Sequence, residues 1–455
     1  MTASVQAGRR PGPSIGVGHV ALAVPFAAAI IAARLPVRDN SYLWHVRSGT
    51  VQSNRTAVLT ADPFSFTAAG RPWRTQSWLA DLFYDWGDRL WGLDFVVPLI
   101  LLGSILLVAS IAFRVFDAVK STLFTALGTA WIMWITIGYF TPRPVLFSLA
   151  LFGIFLVVAD RPNLRWTLPL LMWMWASIHG GFVVGLGLLV LDGLMRRDRR
   201  RIGDIAAATV ASLFTAHGWG VWEIILKFAD SREALDLIVE WLPPDFTGMA
   251  LFPFLMGIVA LLVGAMRGRL IPRDLWIVIP FLVFAFTANR AVPISALALA
   301  PFFVRSVAPS PSSVSTASAR QSVVNAAIAL AVILIPSLIP LSGGLDEELF
   351  AVDAIEHLAP GPAFHDDAVG GYLIYAKWPE RQVYIDDRAE LYGETSVDFV
   401  RARAGQSEWQ RVFMEFEIHQ ALLKIEDPLT QVLAASGWTE RFRDETFVVL
   451  TNSGG

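Results

Sequence analysis

The sequence predicts a mainly α, polytopic transmembrane helical bundle of about eleven spans, with interfacial helices in its first outer loop and a small C-terminal α/β domain. Three observations predict it. Of 455 residues, 55% are hydrophobic and only 16% are charged, whereas soluble domains carry about 25% charge. Several apolar runs reach the roughly 20 residues needed to cross a bilayer. The short loops between those runs alternate between arginine-rich and arginine-poor.

Arg9 and Arg10 precede the first apolar run, from about Ile15 to Ala33. No small-residue cleavage site closes that run, so it reads as a first span rather than a secretory signal. The predicted spans are 15–35, 94–113, 121–139, 144–159, 166–178, 181–195, 203–217, 248–266, 274–288, 291–304 and 323–342. One set of loops holds most of the arginines, the MRRDRRR cluster at 195–201 among them. The opposite short turns hold only Arg143 and Arg290. The positive-inside rule then puts the N-terminus in the cytoplasm. An odd number of spans puts the C-terminal domain outside. The number of crossings between 166 and 195 decides this, because one long span there would invert everything after it. MRRDRRR favours two.

Two outer loops, about 36–93 and 218–247, are long. Their stretches SWLADLFYDWGDRLWG and VWEIILKFADSREALDLIVEW repeat apolar residues at three- and four-residue spacing, which predicts helices lying at the interface. Many of the 17 tryptophans belong to the aromatic belt. The Pro/Ser-rich segment 308–320 reads as a flexible linker. The division is therefore a membrane domain, 1–342, and an extracytoplasmic α/β domain, 343–455. The latter carries 21 acidic and 9 basic side chains, a balance of −12, within a chain whose net charge is −3. Within it, LFAVDAIEHL and PLTQVLAASG read as helices. GGYLIYAKW, QVYIDD, HQALLKI and ETFVVLT read as strands.

The chain has no cysteine, which excludes disulfides, thiolate catalysis and Cys-based metal sites. It has no Walker loop, no dinucleotide fingerprint and no HExxH, so ATP-driven transport and zinc proteolysis have no support. No nucleic-acid partner is expected.

What remains is a set of ionisable residues all predicted on the outer face, where such groups usually mark a site. Asp39 follows the first span directly, with His45 and Arg47 close behind. It is a candidate reactive acid; the alternatives are a solvated carboxylate or a cap for a helix starting near Ser41. Asp62 opens DPFSFT, where an Asp-Pro turn is the competing reading. Asp81 in WLADLFY competes with a solvated helix face. His179, before Gly180 and Gly181, could hold a phosphate, ligate a metal or shuttle protons, or simply be packed. Glu240 beside Trp241 suits a sugar, whose C–H face stacks on indole while its hydroxyls donate to the acid. Arg143 and Arg290 suit a phosphate through forked contacts, or else anchor to headgroups or pair with Asp39 or Glu240. Asp386-Asp387-Arg388 after the apolar VYI places carboxylates at a strand end, where they could bind a metal or a hydroxylated ligand, but it reads chiefly as an internal ion pair with Arg388 plus turn chemistry.

These segments carry a resemblance. WHVRSG, DPFSFT, GRPW and QSWLADLFY in the first outer loop, then RPVLFS, WASIHGG, VEWLPPDF, ANRAVPI and GGYLIY with VYIDDR, run over nearly the whole chain. Together they resemble bacterial polytopic proteins of the GT-C glycosyltransferase superfamily, whose relatives include protein mannosyltransferases and lipid-A aminoarabinose transferases. The resemblance implies a multi-pass protein of the bacterial cytoplasmic membrane. It implies transfer of a sugar from a polyprenyl-phosphate donor to a glycan, lipid or protein acceptor of the envelope. It also implies an essential acid in the first outer loop, which by position is Asp39, acting as base on the acceptor hydroxyl. A second acid of that loop would fall on Asp62 or Asp81. The family's paired-acid motif is absent, since Asn40 follows Asp39. The resemblance therefore implies no certain cofactor and leaves a divalent metal, Mg or Mn, open. The competing classes are a non-catalytic protein that binds or moves a lipid-linked glycan, an envelope-assembly scaffold, and an ion-coupled transporter. The transporter expects carboxylates near the bilayer midplane, where this chain has few.

Overall fold

A helix lies in each predicted span in the computed structural model, which describes residues 14–230, 240–246, 251–309, 318–338, 340 and 345–452. The membrane part runs α1 (Val17–Ala32), α2 (Ser41–Arg55), α3 (Trp78–Trp91), α4 (Val96–Val119), α5 (Thr122–Thr136), α6 (Pro144–Ala159), α7 (Leu168–Ile178), α8 (Phe182–Arg196), α9 (Arg200–Ser212) and α10 (Gly220–Asp230). It continues with α11 (Phe252–Met266), α12 (Leu275–Ala285), α13 (Ala291–Val307) and α14 (Ala319–Ser337). Among the described residues, three segments suffice by length and composition to cross a membrane: Trp78–Val119, Thr122–Tyr139 and Arg320–Ser337. Other apolar helices, α6 among them, are shorter. The segment 166–195 forms two helices, broken where His179 takes an extended backbone at φ −162° and ψ 145°. Most of the linker at 308–320, and residues 231–239 within the second long loop, lie outside the described residues.

The first outer loop forms helices as its periodicity predicts. α2 lies against α3 through Gly49, where an added Cβ would strike the Asp81 backbone carbonyl. Gly49→Ala is therefore expected to destabilise the fold by about 1–3 kcal/mol, the usual cost of overpacking. A lowered melting temperature of the purified protein in detergent checks this, and an unchanged melt would refute the close approach.

The C-terminal part holds a four-stranded sheet, order β1-β2-β4-β3, of β1 (Phe364–His365), β2 (Gln420–Lys424), β3 (Thr439–Arg443) and β4 (Phe447–Thr451). β1 and β2 are parallel and the other pairs antiparallel. Helices α15 (Asp367–Lys377), α16 (Glu394–Arg403), α17 (Glu408–Glu415) and α18 (Pro428–Ala435) surround it. β2, β4 and α18 match the sequence reading. GGYLIYAKW does not: it is helix α15, capped by the Asp366 side chain accepting from Ala368 N at 3.0 Å. Its apolar Val369, Leu373 and Ile374 recur at helical spacing on one buried face. QVYIDD joins none of these strands and bends at Tyr384 and Asp387. Val383 bridges Ser65 of the first outer loop instead, with Phe66 N donating to Val383 O at 3.1 Å. LFAVDAIEHL makes only two short turns, Glu347–Phe350 and Ala354–His357, interrupted at Ala351. β3 escaped notice because it is an exposed edge with no apolar alternation.

Two hydrophobic cores result. One fills the helical bundle. The other joins Trp44, Phe64 and Trp73 of the first outer loop to Phe364, Tyr384 and Leu422 of the C-terminal part. The loop and the C-terminal part thus bury apolar surface together, which fixes the wall of the site described next.

Candidate functional site

A cavity of about 420 Å³ lies where the first outer loop, the start of α6, the break after α7 and the C-terminal part meet. Arg143, His179, Glu240, Trp241, Arg290 and His45 all line it. Six of the nine singled-out residues therefore share one space, although they are scattered over some 250 positions of the sequence.

Arg143 caps the N-terminus of α6, whose first position is Pro144, a residue preorganised for a helix start. Its guanidinium gathers three carboxylates. Nε stands 2.6 Å from Asp39 Oδ2, Nη1 3.1 Å from Glu240 Oε1, and Nη2 3.8 Å from Asp387 Oδ2. Asp39 is buried and does not line this cavity. Its other oxygen accepts from Ser41 N at 3.0 Å, although the cap position of α2 itself is Asn40. It lines instead an apolar groove of about 360 Å³, made by Ala28 and Ile31 of α1 and Leu35 just after it, with Ile100 and Phe140. Asp39 and Arg143 therefore stand at the joint between a polar cavity and an apolar groove.

Asp387 belongs to the run that the sequence reads chiefly as an internal ion pair, and it stands out in the fold as a functional candidate. Asp386 does pair with Arg388, as expected of that run, at 2.6 Å. Asp387 lines the cavity beside Asp386 and Arg388. Its Oδ1 accepts from Trp44 Nε1 at 2.7 Å and its Oδ2 from the Ser41 hydroxyl. Burial pushes its carboxyl above the ordinary carboxylate value, partly offset by Arg143. The signal in the sequence was the second carboxylate of a pair with only one arginine. Helix α15 reaches this place because Gly371 lets it press on the Asn40 backbone. Asp367 at its start also lines the cavity, and burial together with Asp366 raises its carboxyl.

Arg290 precedes α13. Its guanidinium lies over the Trp241 ring at 4.3 Å, and its backbone N–H donates to Glu240 O at 3.0 Å. Among the described residues it has no ion-pair partner. Burial pushes the His179 imidazole down to about 3, helped by Arg290 and His45. It is neutral near pH 7 and supplies no cation for a phosphate; its Nδ1 accepts from Gly181 N at 3.0 Å.

Asp62 and Asp81 are buried away from the cavity. Asp62 accepts from Ser65 N at 3.0 Å and pairs with Arg388 at 2.8 Å, which is the turn reading plus a distant partner. Asp81 is no solvated helix face: it is fully buried and accepts from Ser48, Gln52 and Thr75 while meeting His45 Nδ1 at 2.5 Å. It ties α2 to α3 and orients His45. Among the described residues, no three histidines or acids converge as a metal-ligand set. Asp39, Glu240 and Asp387 are instead drawn together by the Arg143 guanidinium, so no step is routed through a metal.

No family model and no curated protein matches the chain. Solved structures do match. One is ArnT from Cupriavidus metallidurans, crystallised with undecaprenyl phosphate, with a TM-score of 0.55 at 14% identity over 96% of this chain and 98% of that one. The chain thus shares the polytopic, mainly helical fold of that structure over nearly its whole length.

Proposed function

We propose that the protein is a membrane glycosyltransferase that takes a sugar from a polyprenyl-phosphate donor and passes it to an envelope acceptor. The observation that carries this reading is the joint between groove and cavity. An apolar groove suited to a prenyl chain ends at Asp39, which pairs with Arg143, and the polar cavity beyond holds Arg290, an arginine without an ion-pair partner among the described residues. The lipid phosphate bridges Arg143 and Arg290, whose planar guanidinium groups match its oxygens and stabilise the charge that grows on it as the sugar leaves. The sugar stacks on Trp241, with Glu240 accepting from its hydroxyls.

A carboxylate of the Arg143 cluster takes the proton of the acceptor hydroxyl. The resemblance implies Asp39 for this. Two observations favour Asp387: it faces the cavity, and burial raises its proton affinity toward the range in which a base works. Asp39, engaged by Ser41 N and by Arg143, then acts by holding Arg143 in place. Membership of the outer face, and the C-terminal part lying outside, belong to the same proposal.

Native mass spectrometry of the detergent-purified protein tests the donor half. Undecaprenyl phosphate should be retained, and Arg290→Gln should cut retention roughly tenfold or more, the size of a lost charge-assisted contact. Because Arg290 has no ion-pair partner among the described residues, the change should leave the fold intact. Equal retention by wild type and variant would sink the reading. Retention without any sugar transfer would instead favour a protein that only binds or moves lipid-linked glycans.

A further inference from the structure

A second polar cavity, of about 470 Å³, opens at the other end of the bundle between α4, α6, α8, α12 and α13. The 16 residues of α6 separate it from Arg143, roughly 24 Å at the helical rise. The proposed transfer makes no use of it. Its arginine content predicts that this end is cytoplasmic.

The charges on its wall are unevenly matched. Each of its four carboxylates already has an arginine. Asp117 meets Arg161 at 2.6 Å, and Asp160 meets Arg196 at 3.2 Å. Asp192 meets Arg196 at 2.5 Å and Arg201 at 2.6 Å, and Asp274 meets Arg305. Two further arginines on the same wall, Arg114 and Arg273, have no carboxylate at ion-pair distance among the described residues. Arg114 projects from α4, donates one N–H to Leu297 O at 2.7 Å, and has a buried Nε with no partner. Arg273 is exposed at the rim. The remaining lining is apolar, with Leu156, Leu188, Ile277 and Phe302. Leu194 and Trp276 are exposed close by.

An unneutralised guanidinium held in a partly apolar wall is costly unless an anion meets it. Phosphate oxygens answer two such forks at once. Basic pockets between helices on the cytoplasmic side suit lipid headgroups. We propose that this cavity binds a phosphate-bearing anion through Arg114 and Arg273. A phospholipid headgroup fits the lining, since its glycerol and acyl carbons would lie on the apolar residues; a free phosphate would satisfy the same arginines.

The test uses the full-length protein, delipidated in detergent and offered phosphatidylglycerol, phosphatidylcholine or inorganic phosphate. Native mass spectrometry should show phosphatidylglycerol retained over phosphatidylcholine. Arg273→Gln should lower that retention on the order of tenfold, and Arg114→Gln should do the same. Arg273 is exposed, so its loss does not threaten the fold. Arg290→Gln, at the other end, should leave phosphatidylglycerol retention unchanged. Inorganic phosphate that raises the melting temperature of wild type but not of the Arg273 variant, with no preference among lipids, would support the site and identify free phosphate as its source. If neither arginine change alters retention of phosphatidylglycerol or the response to phosphate, the proposal is overturned.

Discussion

Asp387→Asn is expected to lower glycosyl transfer by roughly 10²–10⁴-fold, the usual contribution of a positioned general base, while leaving lipid phosphate bound. The expectation rests on three features. Asp387 lines the cavity, whereas Asp39 does not. Trp44 and Ser41 hold it in one orientation without a close arginine, since Arg143 stands off at 3.8 Å. Burial raises its carboxyl above the ordinary value. A base works only when deprotonated, so turnover should fall as pH drops through a limb above the usual aspartate value of about 3.9. The Asn variant should lose that limb along with most of its rate. Asp39→Asn is expected to behave differently. It releases Arg143 from its 2.6 Å partner, so it should raise KM for the donor while the acidic limb persists. Rates measured against pH for both variants separate the roles. If Asp39→Asn erases the limb and Asp387→Asn keeps it, Asp39 is the base and the assignment made from geometry is wrong.

The helical spans could be read from the chain because lipid demands long apolar runs, and a run of Leu, Val and Phe has few other uses. The gathering of Arg143, His179, Glu240 and Arg290 was legible for a related reason: charges are scarce at span ends, so those present stand out. Asp62 and Asp81 were harder. An Asp in a turn looks the same whether its partner is water or an arginine 326 positions away, and only the fold brings Arg388 to Asp62. GGYLIYAKW misled because a short apolar run fits a buried helix as well as a strand. The cap at Asp366 was the clue to its true state. Asp387 was hidden by its neighbour: an adjacent Asp386-Asp387-Arg388 suggests local pairing, whereas Asp387 takes its partners, Ser41 and Trp44, from 346 and 343 positions away.

Arg388→Met is expected to be the most destabilising single change at the junction of the first outer loop and the C-terminal part. Arg388 is buried with both partners, Asp62 at 2.8 Å and Asp386 at 2.6 Å. Its guanidinium also lies over the Trp73 ring at 4.5 Å and the Phe64 ring at 5.2 Å. Removing the cation leaves two buried carboxylates facing each other's charge without compensation, which costs about 3–5 kcal/mol when one partner of a buried pair is lost. The loss should appear as a lower melting temperature and as faster proteolysis within 345–452. Adding Asp62→Asn and Asp386→Asn to Arg388→Met should recover part of it, since the uncompensated charge is then gone; a triple variant no more stable than the single one would mean that Arg388 acts through packing on Trp73 and Phe64 instead. The consequence for function follows from chain adjacency. Asp386 and Arg388 flank Asp387, so the buried ion pair that holds the outer loop to the C-terminal part also fixes the backbone from which the proposed base enters the cavity. Arg388→Lys would keep the charge but lose the forked contact to two acids. It should therefore leave much of the stability in place while blurring the position of Asp387, lowering turnover more than it lowers the melting temperature.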